Sequence, residues 1–420
     1  MVDFLNTNQK ILVALLSASI SQEPCDLEID DDIDWLTVIS EAFKHQVFTL
    51  IYKPLVDLSG KINIPCEILE RLKFEVINEV KTQESNYLAI GIVLKHIIDD
   101  NIHVIVLKGL VLRELYPEPG LRTMCDFDLL IKKAEMEKAE NVLRNLGYKK
   151  IDDKEKHAVF THDYLPSIEL HRQMVSKNVF PCYEAFEEHV WEYAEPVDIS
   201  GVQVLSLCPV DKVTYQIIHM ASHLLNDGFG LRQLIDLVLL VDDSRYDINW
   251  SEFFRVAETL NIGTFSKALF QLCGRLFDLN LQNTGLLYDE KFEINQCLVD
   301  EIFEGGVFGK NENGYIVANR IIYYNEGIKA DNCIERIMSF IIFLFPSADK
   351  LDNKFSYAKK HHYLLPVAWV YRILSNLWRK DISLNDKISV VKPAKLMNIS
   401  SKRSKMLKQL GLLRLGIEDK

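Results

Sequence analysis

The chain has 420 residues, 48% apolar and 26% charged, with a formal net charge of −12 at pH 7. That length supports a large buried core and two or three domains, and the composition is that of an ordinary soluble globular protein. The acidic balance argues against a wide electrostatic footprint for nucleic acid, so a small molecule or a protein is the expected partner.

The eight cysteines (25, 66, 125, 182, 208, 273, 297, 333) are scattered, with no C-x-x-C pair. They read as reduced thiols of a cytoplasmic protein rather than as a disulfide frame or zinc ligands. The opening "MVDFLNTNQKILVALLSASI" lacks a basic start and reads as a first helix, not a leader. The densest apolar run, "FIIFLF" at 340–345, is too short to span a bilayer, so no transmembrane segment is expected.

Residues 1–100 read as a helical region. "DWLTVISEAFKHQVFTLIYKPL" spaces its apolar residues three and four apart after the acidic run "DDDID", and a second long helix is expected from about Ile68 to Ile98. The acidic run lacks the glycine and terminal glutamate of a calcium loop. From 101 to 208 the texture becomes α/β. "HVIVL", "FDLLI", "HAVF", "SIELH" and "GVQVLSL" are strand candidates, and "EMEKAENVLRNLG" is an amphipathic helix closed by Gly147.

A helical region returns at 209–303, led by "PVDKVTYQIIHMASHLL" and "RQLIDLVLLVDD". A further helical region spans 304–391, and a basic, irregular tail is expected over 392–420. No internal repeat is evident. "EGGVFGKN" fails as a phosphate loop, because Glu304 occupies the first glycine position and Asn311 the metal-binding Ser/Thr position.

The chemistry concentrates in "HVIVLKGLVLRELYPEPGLRTMCDFDLLI". Asp126 and Asp128, at i and i+2 on a strand, share one face while Phe127, Leu129 and Ile131 enter the core. Two neighbouring carboxylates repel each other unless a divalent cation compensates them. In "SIELH" the alternation puts Glu169 opposite the apolar Ile168 and Leu170. Three carboxylates on one open face suit a two-Mg²⁺ site for in-line displacement at phosphorus, with Mn²⁺ able to substitute. Lys108-Gly109 ends a strand and opens a helix, where a glycine and free N–H groups would admit phosphate and Lys108 would add charge. The "YPEPGLR" turn brings Arg122 toward the same rim, either for nucleotide or as a structural partner for Asp126.

His219 and His223, four apart on one helix, read as a packed pair or a substrate-facing surface, since no general-base glutamate lies between them. Arg232 and Asp236 have the spacing of an intrahelical ion pair.

The order strand, glycine turn, helix, D-x-D strand, later acid resembles the DNA polymerase beta-like nucleotidyltransferase superfamily. The wording "VIVLKGLVLRELYPEPGLRTMCDFDLLI…AENVLRNLGY…IELH" is similar to a bacterial branch described as an uncharacterised nucleotidyltransferase family. The resemblance implies an α/β (α+β) fold, a small mixed sheet flanked by N-terminal and C-terminal helical regions. It implies metal ligation by Asp126, Asp128 and Glu169, with Glu169 also placed to take a proton from the acceptor. Lys108-Gly109 stands where the superfamily has a Gly-Ser or Gly-Gly turn, so the phosphate-touching serine is absent. The implied reaction moves a nucleoside monophosphate from a nucleoside triphosphate to an acceptor (a small molecule, peptide or protein) with release of pyrophosphate. The alternatives are a catalytically silent nucleotide sensor or scaffold, and phosphoryl transfer from the same metal site.

Overall fold

The computed structural model describes residues 3–25, 33–175, 179–286, 292–307, 344–351, 355–377 and 393–413, with single residues at 309, 322, 341 and 342. Most of the acidic run, of the 304–314 loop and of residues 308–343 lies outside the described residues. The chain forms two compact units: Met1–Met220 with Gly230–Ile294, and Ala221–Phe229 with Asn295–Lys420.

The first unit begins with four helices, α1 (Thr7–Ser21), α2 (Trp35–Lys44), α3 (Phe48–Leu58) and α4 (Cys66–Asp99). Asn6 and Gln9 exchange side-chain-to-backbone hydrogen bonds of 3.0 Å each, a capping box that fixes the start of α1. Asp34 caps α2 by accepting from the Thr37 N–H at 3.1 Å. The single helical pattern expected over 34–55 is broken into α2 and α3, because Gln46 takes a left-handed φ of 53° between them. A non-glycine residue there costs free energy that local pattern does not foretell.

The sheet has seven strands: β1 (Val104–Val106), β2 (Asp126–Ile131), β3 (Lys149–Asp153), β4 (His157–Thr161), β5 (Ser167–His171), β6 (Glu195–Ile199) and β7 (Val202–Ser206). Their spatial order is β3-β4-β5-β2-β1-β7-β6. The β2–β5 and β1–β7 pairings are parallel and the other four antiparallel, so the sheet is mixed. The expected strands are all present. β3 and β6 were not expected, and both are edge strands with few apolar residues, "KKIDD" and "EPVDI", which hides them from a hydrophobicity reading.

Between β1 and β2 lie a one-turn helix, α5 (Gly109–Leu112), and two 3₁₀ turns. α6 (Met136–Asn145) follows β2 and ends before Gly147, whose φ of +91° only glycine adopts freely. α4 and α6 supply Ile90, Leu94, Ile97, Ala139 and Leu143 to a core built on Val104, Phe127, Leu129, Ile168 and Leu170. α7 (Tyr183–Glu192) precedes β6. α8 (Pro209–Asn226), α9 (Leu231–Asp242), α10 (Trp250–Thr259) and α11 (Gly263–Phe277) follow the sheet. The fold is α/β, a mixed sheet flanked by helical regions.

In the second unit, α12 (Gln296–Gly305) precedes α13 (Ser356–Lys360), α14 (Leu365–Leu377) and α15 (Pro393–Gln409). The basic stretch expected to be irregular is therefore helical. It docks through the fully buried Arg403, which hydrogen-bonds the Glu301 carboxylate and the Leu224 carbonyl, and through Gln409, which accepts from Asn295 at 2.7 Å. No helix among the described residues is long and apolar enough to cross a membrane.

Candidate active site

β2 and β5 run parallel with Asp126 opposite Ser167 and Asp128 opposite Glu169. Register partners on adjacent strands point the same way, so Asp128 and Glu169 stand side by side. The side chains between them, Phe127, Ile168, Leu129 and Leu170, fill the core on the other face. Asp126 lies at the exposed start of β2, Asp128 is 8% exposed, and Glu169 is half-buried.

Positive groups converge on the inner acids. Lys108 Nζ is 3.1 Å from Asp128 Oδ2, and His171 Nε2 donates to Asp128 Oδ1 at 2.7 Å. The same His171 nitrogen lies 3.3 Å from Glu169 Oε2, and His157 Nε2 is 3.9 Å from that oxygen. His157 stands opposite His171 across the β4–β5 pair. Lys108 also donates to His219 Nε2 at 2.8 Å, tying the site to α8.

Burial works to raise the Asp128 carboxyl, but the Lys108 ammonium and the His171 hydrogen bond hold it well below the usual carboxylate range. Glu169 is likewise held below its ordinary value by His171 against the effect of burial. Asp126 goes the other way: desolvation and then repulsion from Asp128 and Glu169 push it up to about 6. Negative charge is thus balanced around Asp128 and in surplus toward Asp126, at the open end of the strand.

Lys108 reaches this position through its backbone. Its φ of 39° and ψ of −105° are rarely adopted by an L residue. The preceding Leu107 N–H is anchored to the Asp128 carbonyl at 3.0 Å, so the end of β1 is pinned beside the acids. Gly109 is demanded by packing, since a Cβ there would fall 2.8 Å from Met124 Sδ and 2.9 Å from Arg122 Nη1.

Arg122, expected at the nucleotide rim or beside Asp126, instead donates from Nε to Asp236 Oδ1 at 2.8 Å and from Nη2 to Asp236 Oδ2 at 2.7 Å. Tyr116 Oη donates to Asp236 Oδ1 at 2.8 Å. All three side chains are buried. Arg232 does not hydrogen-bond Asp236. It donates to the Thr123 carbonyl at 2.8 Å and to Gln46 Oε1 at 2.9 Å. Gln83 donates to the Met124 carbonyl at 3.0 Å, and Thr123 Oγ1 to the Gln46 carbonyl at 2.9 Å. The segment entering β2 is therefore clamped by α4, α9 and the α2–α3 corner. His223, on the same helix as His219, belongs to the second unit.

The sequence does not single out His157; it offers His171 as a cap on the sheet face or a substrate contact and His219 as a packed or substrate-facing residue, neither as a partner of the acids or of Lys108. The signal for the first two is the β4–β5 register, which periodicity cannot supply. Among the described residues, His157, Glu169 and His171 offer ligand atoms all within 4.8 Å of one another, a mixed nitrogen–oxygen group sharing Glu169 with the carboxylate set.

A mixed sheet presenting D-x-D beside a third acid on the neighbouring parallel strand belongs to the nucleotidyltransferase class. Residues 31–278 match the profile of a family described as "uncharacterised nucleotidyltransferase", and the chain belongs to that family. No curated protein matches it. A similar solved structure is that of the antibiotic-resistance factor ANT(2'')-Ia, at 12% identity over 38% of this chain and 83% of that one, with a TM-score of 0.29.

Proposed function

We propose that the chain transfers a nucleoside monophosphate from a nucleoside triphosphate to an acceptor, releasing pyrophosphate. The observation that carries this reading is the alignment of Asp128 with Glu169 on parallel strands, with Asp126 one side-chain repeat earlier on the same face. Membership of a nucleotidyltransferase family supports the reaction class.

The donor set fits Mg²⁺, with Mn²⁺ as a substitute: three carboxylates, with surplus negative charge toward Asp126. Asp126, Asp128 and Glu169 would hold one or two ions, which supply charge neutralisation at the phosphates when bound. The chain's own contribution begins with Lys108, whose ammonium is already aimed at the site and would exchange Asp128 for a phosphate oxygen. His219 steadies that ammonium. The acceptor oxygen forms a bond to the α-phosphorus as the bond to the β-bridging oxygen breaks. Pyrophosphate leaves with the electron pair, and the acceptor proton passes to the Glu169 carboxylate. His171 and Asp128 hold Glu169 in place for that transfer. The acceptor is a small molecule, peptide or protein. Nucleic acid is disfavoured by the acidic chain. A cytoplasmic setting suits both the triphosphate and the described cysteines, none of which is in a disulfide.

A second reading has its own support. Lys108 and His171 already satisfy Asp128, as they would in a silent sensor or scaffold of the same fold. Labelled nucleotide separates the readings. Mg²⁺-dependent movement of α-phosphate label onto an acceptor fraction, lost in Asp128→Asn, is the expected result. Movement of γ-label instead indicates phosphoryl transfer. Metal-dependent binding with no transfer under any acceptor supports the sensor, and transfer undiminished in Asp128→Asn overturns the site assignment.

A further inference from the structure

A second group of metal-ligand side chains lies in the first unit and shares no residue with the carboxylate site. His189 on α7, Cys208 immediately before α8, and Asp211 in the first turn of α8 each offer one ligand atom, all within 4.8 Å of one another. His189 Nε2 is 3.6 Å from Asp211 Oδ2. Asp211 is fully buried, and neither of its oxygens is met by a hydrogen bond of ordinary geometry. A carboxylate in that condition is costly unless a cation or a proton compensates it.

The surroundings add to that cost. Glu195 and Glu252 add negative potential at Asp211. The nearby Lys212 ammonium lies 4.5 Å from the centre of the Tyr246 ring, its charge shared with an aromatic face. The Cys208 sulfur lies against the same carboxylate, within 4.8 Å of an Asp211 oxygen. His189 is stacked on Tyr193 at 4.4 Å, which fixes its ring plane, and its side chain is 35% exposed, which leaves an approach from solvent.

We infer that His189, Cys208 and Asp211 bind a transition-metal ion of the Zn²⁺ type, which ties α7 to the start of α8. Nitrogen, sulfur and oxygen donors from three side chains suit Zn²⁺ and leave a fourth tetrahedral position for water, whereas Mg²⁺ would select the all-oxygen set. Cys208 thus departs from the expectation that the cysteines are not zinc ligands.

The test is a titration of chelator-treated full-length protein with Co²⁺, a spectroscopic stand-in for Zn²⁺. One equivalent is expected to give thiolate-to-cobalt charge-transfer absorption. Cys208→Ser, which keeps a hydroxyl at the helix cap, abolishes that band, and His189→Gln weakens binding about tenfold or more. The band persists in Asp126→Asn/Glu169→Gln, which separates this site from the carboxylate site. In a parallel melt, excess Zn²⁺ raises the Tm of the wild type by about 5 °C and leaves Cys208→Ser unmoved. Absence of the band in folded wild type, or a band of equal intensity in Cys208→Ser, overturns the assignment.

Discussion

Arg122 and Asp236, 114 residues apart in sequence, form a buried two-point ion pair that joins the turn before β2 to α9. Tyr116 adds a third hydrogen bond to the same carboxylate. Its phenol is pushed well above its usual value by burial and by the Asp236 charge, so it stays protonated and donating at any physiological pH. Removing one member strands the other in a site water does not reach. Asp236→Asn is expected to cost about 3–5 kcal/mol in urea unfolding. A paired Arg122→Met/Asp236→Leu replacement should recover most of that loss, because it removes both charges together. If the pair is worth no more than a surface bridge, the single variant will unfold with the wild type.

Gly109 depends on the same arginine. The Cβ of Gly109→Ala would meet the flexible Met124 sulfur, which can move, and the Arg122 guanidinium, which Asp236 holds. Overpacking of about 1–3 kcal/mol is expected in thermal unfolding. Combining Gly109→Ala with Met124→Ala should return less than half of it, since the arginine contact remains. Full recovery in that double variant would show Met124 to be the obstacle.

How much of this was legible beforehand differs between the strands and the side chains around them. β1, β2 and β5 were readable because unbroken apolar runs and two-residue alternation are local signals, and those same strands carry Asp126, Asp128 and Glu169. The partners of the acids were not readable. His171 reaches Asp128 because β5 runs beside β2, and His219 reaches Lys108 from a helix 111 residues away. Arg122 pairs with Asp236 for a physical reason. A basic residue four positions before an acidic strand faces that strand only if no stronger partner is near, and Asp236 is a stronger partner at 2.7 Å. Spacing suggested an Arg232–Asp236 pair, yet a surface-type i,i+4 bridge yields easily to buried bidentate geometry.

Acid should loosen the corner between α2 and α3. The buried His45 accepts a hydrogen bond from the Leu231 N–H through Nδ1 at 3.2 Å and faces Glu41 at 3.6 Å through Nε2. Hydrogen bonding from His45 holds the Glu41 carboxyl below its ordinary value. A carboxyl lowered in the folded state contributes stability that is present above its unfolded pKa, about 4.5, and is lost as pH falls through the folded value. Midpoint urea concentration, followed from pH 6 down to pH 3, should therefore fall less steeply in Glu41→Gln than in the wild type. Parallel curves for the two proteins would remove Glu41 from the acid limb.

Lys108 is expected to have opposite effects on its two ligands. Its ammonium lies 3.1 Å from Asp128 Oδ2 and so competes with a metal for that carboxylate. It is also the cation that phosphate would meet. Lys108→Met, which keeps the length of the side chain and removes the charge, should bind Mn²⁺ more tightly than wild type when no nucleotide is present. The same variant should bind the Mn²⁺–triphosphate complex more weakly, by about tenfold, a loss near 1.4 kcal/mol for one charge-assisted contact. Calorimetric titration of Mn²⁺ alone and then of the complex reads both effects on one preparation. The positive φ of Lys108 persists with any side chain but glycine, so the backbone strain is common to both proteins and cancels. Weaker binding of both ligands would mean that Lys108 shapes the site without competing in it. Unchanged binding of both would remove Lys108 from the nucleotide site.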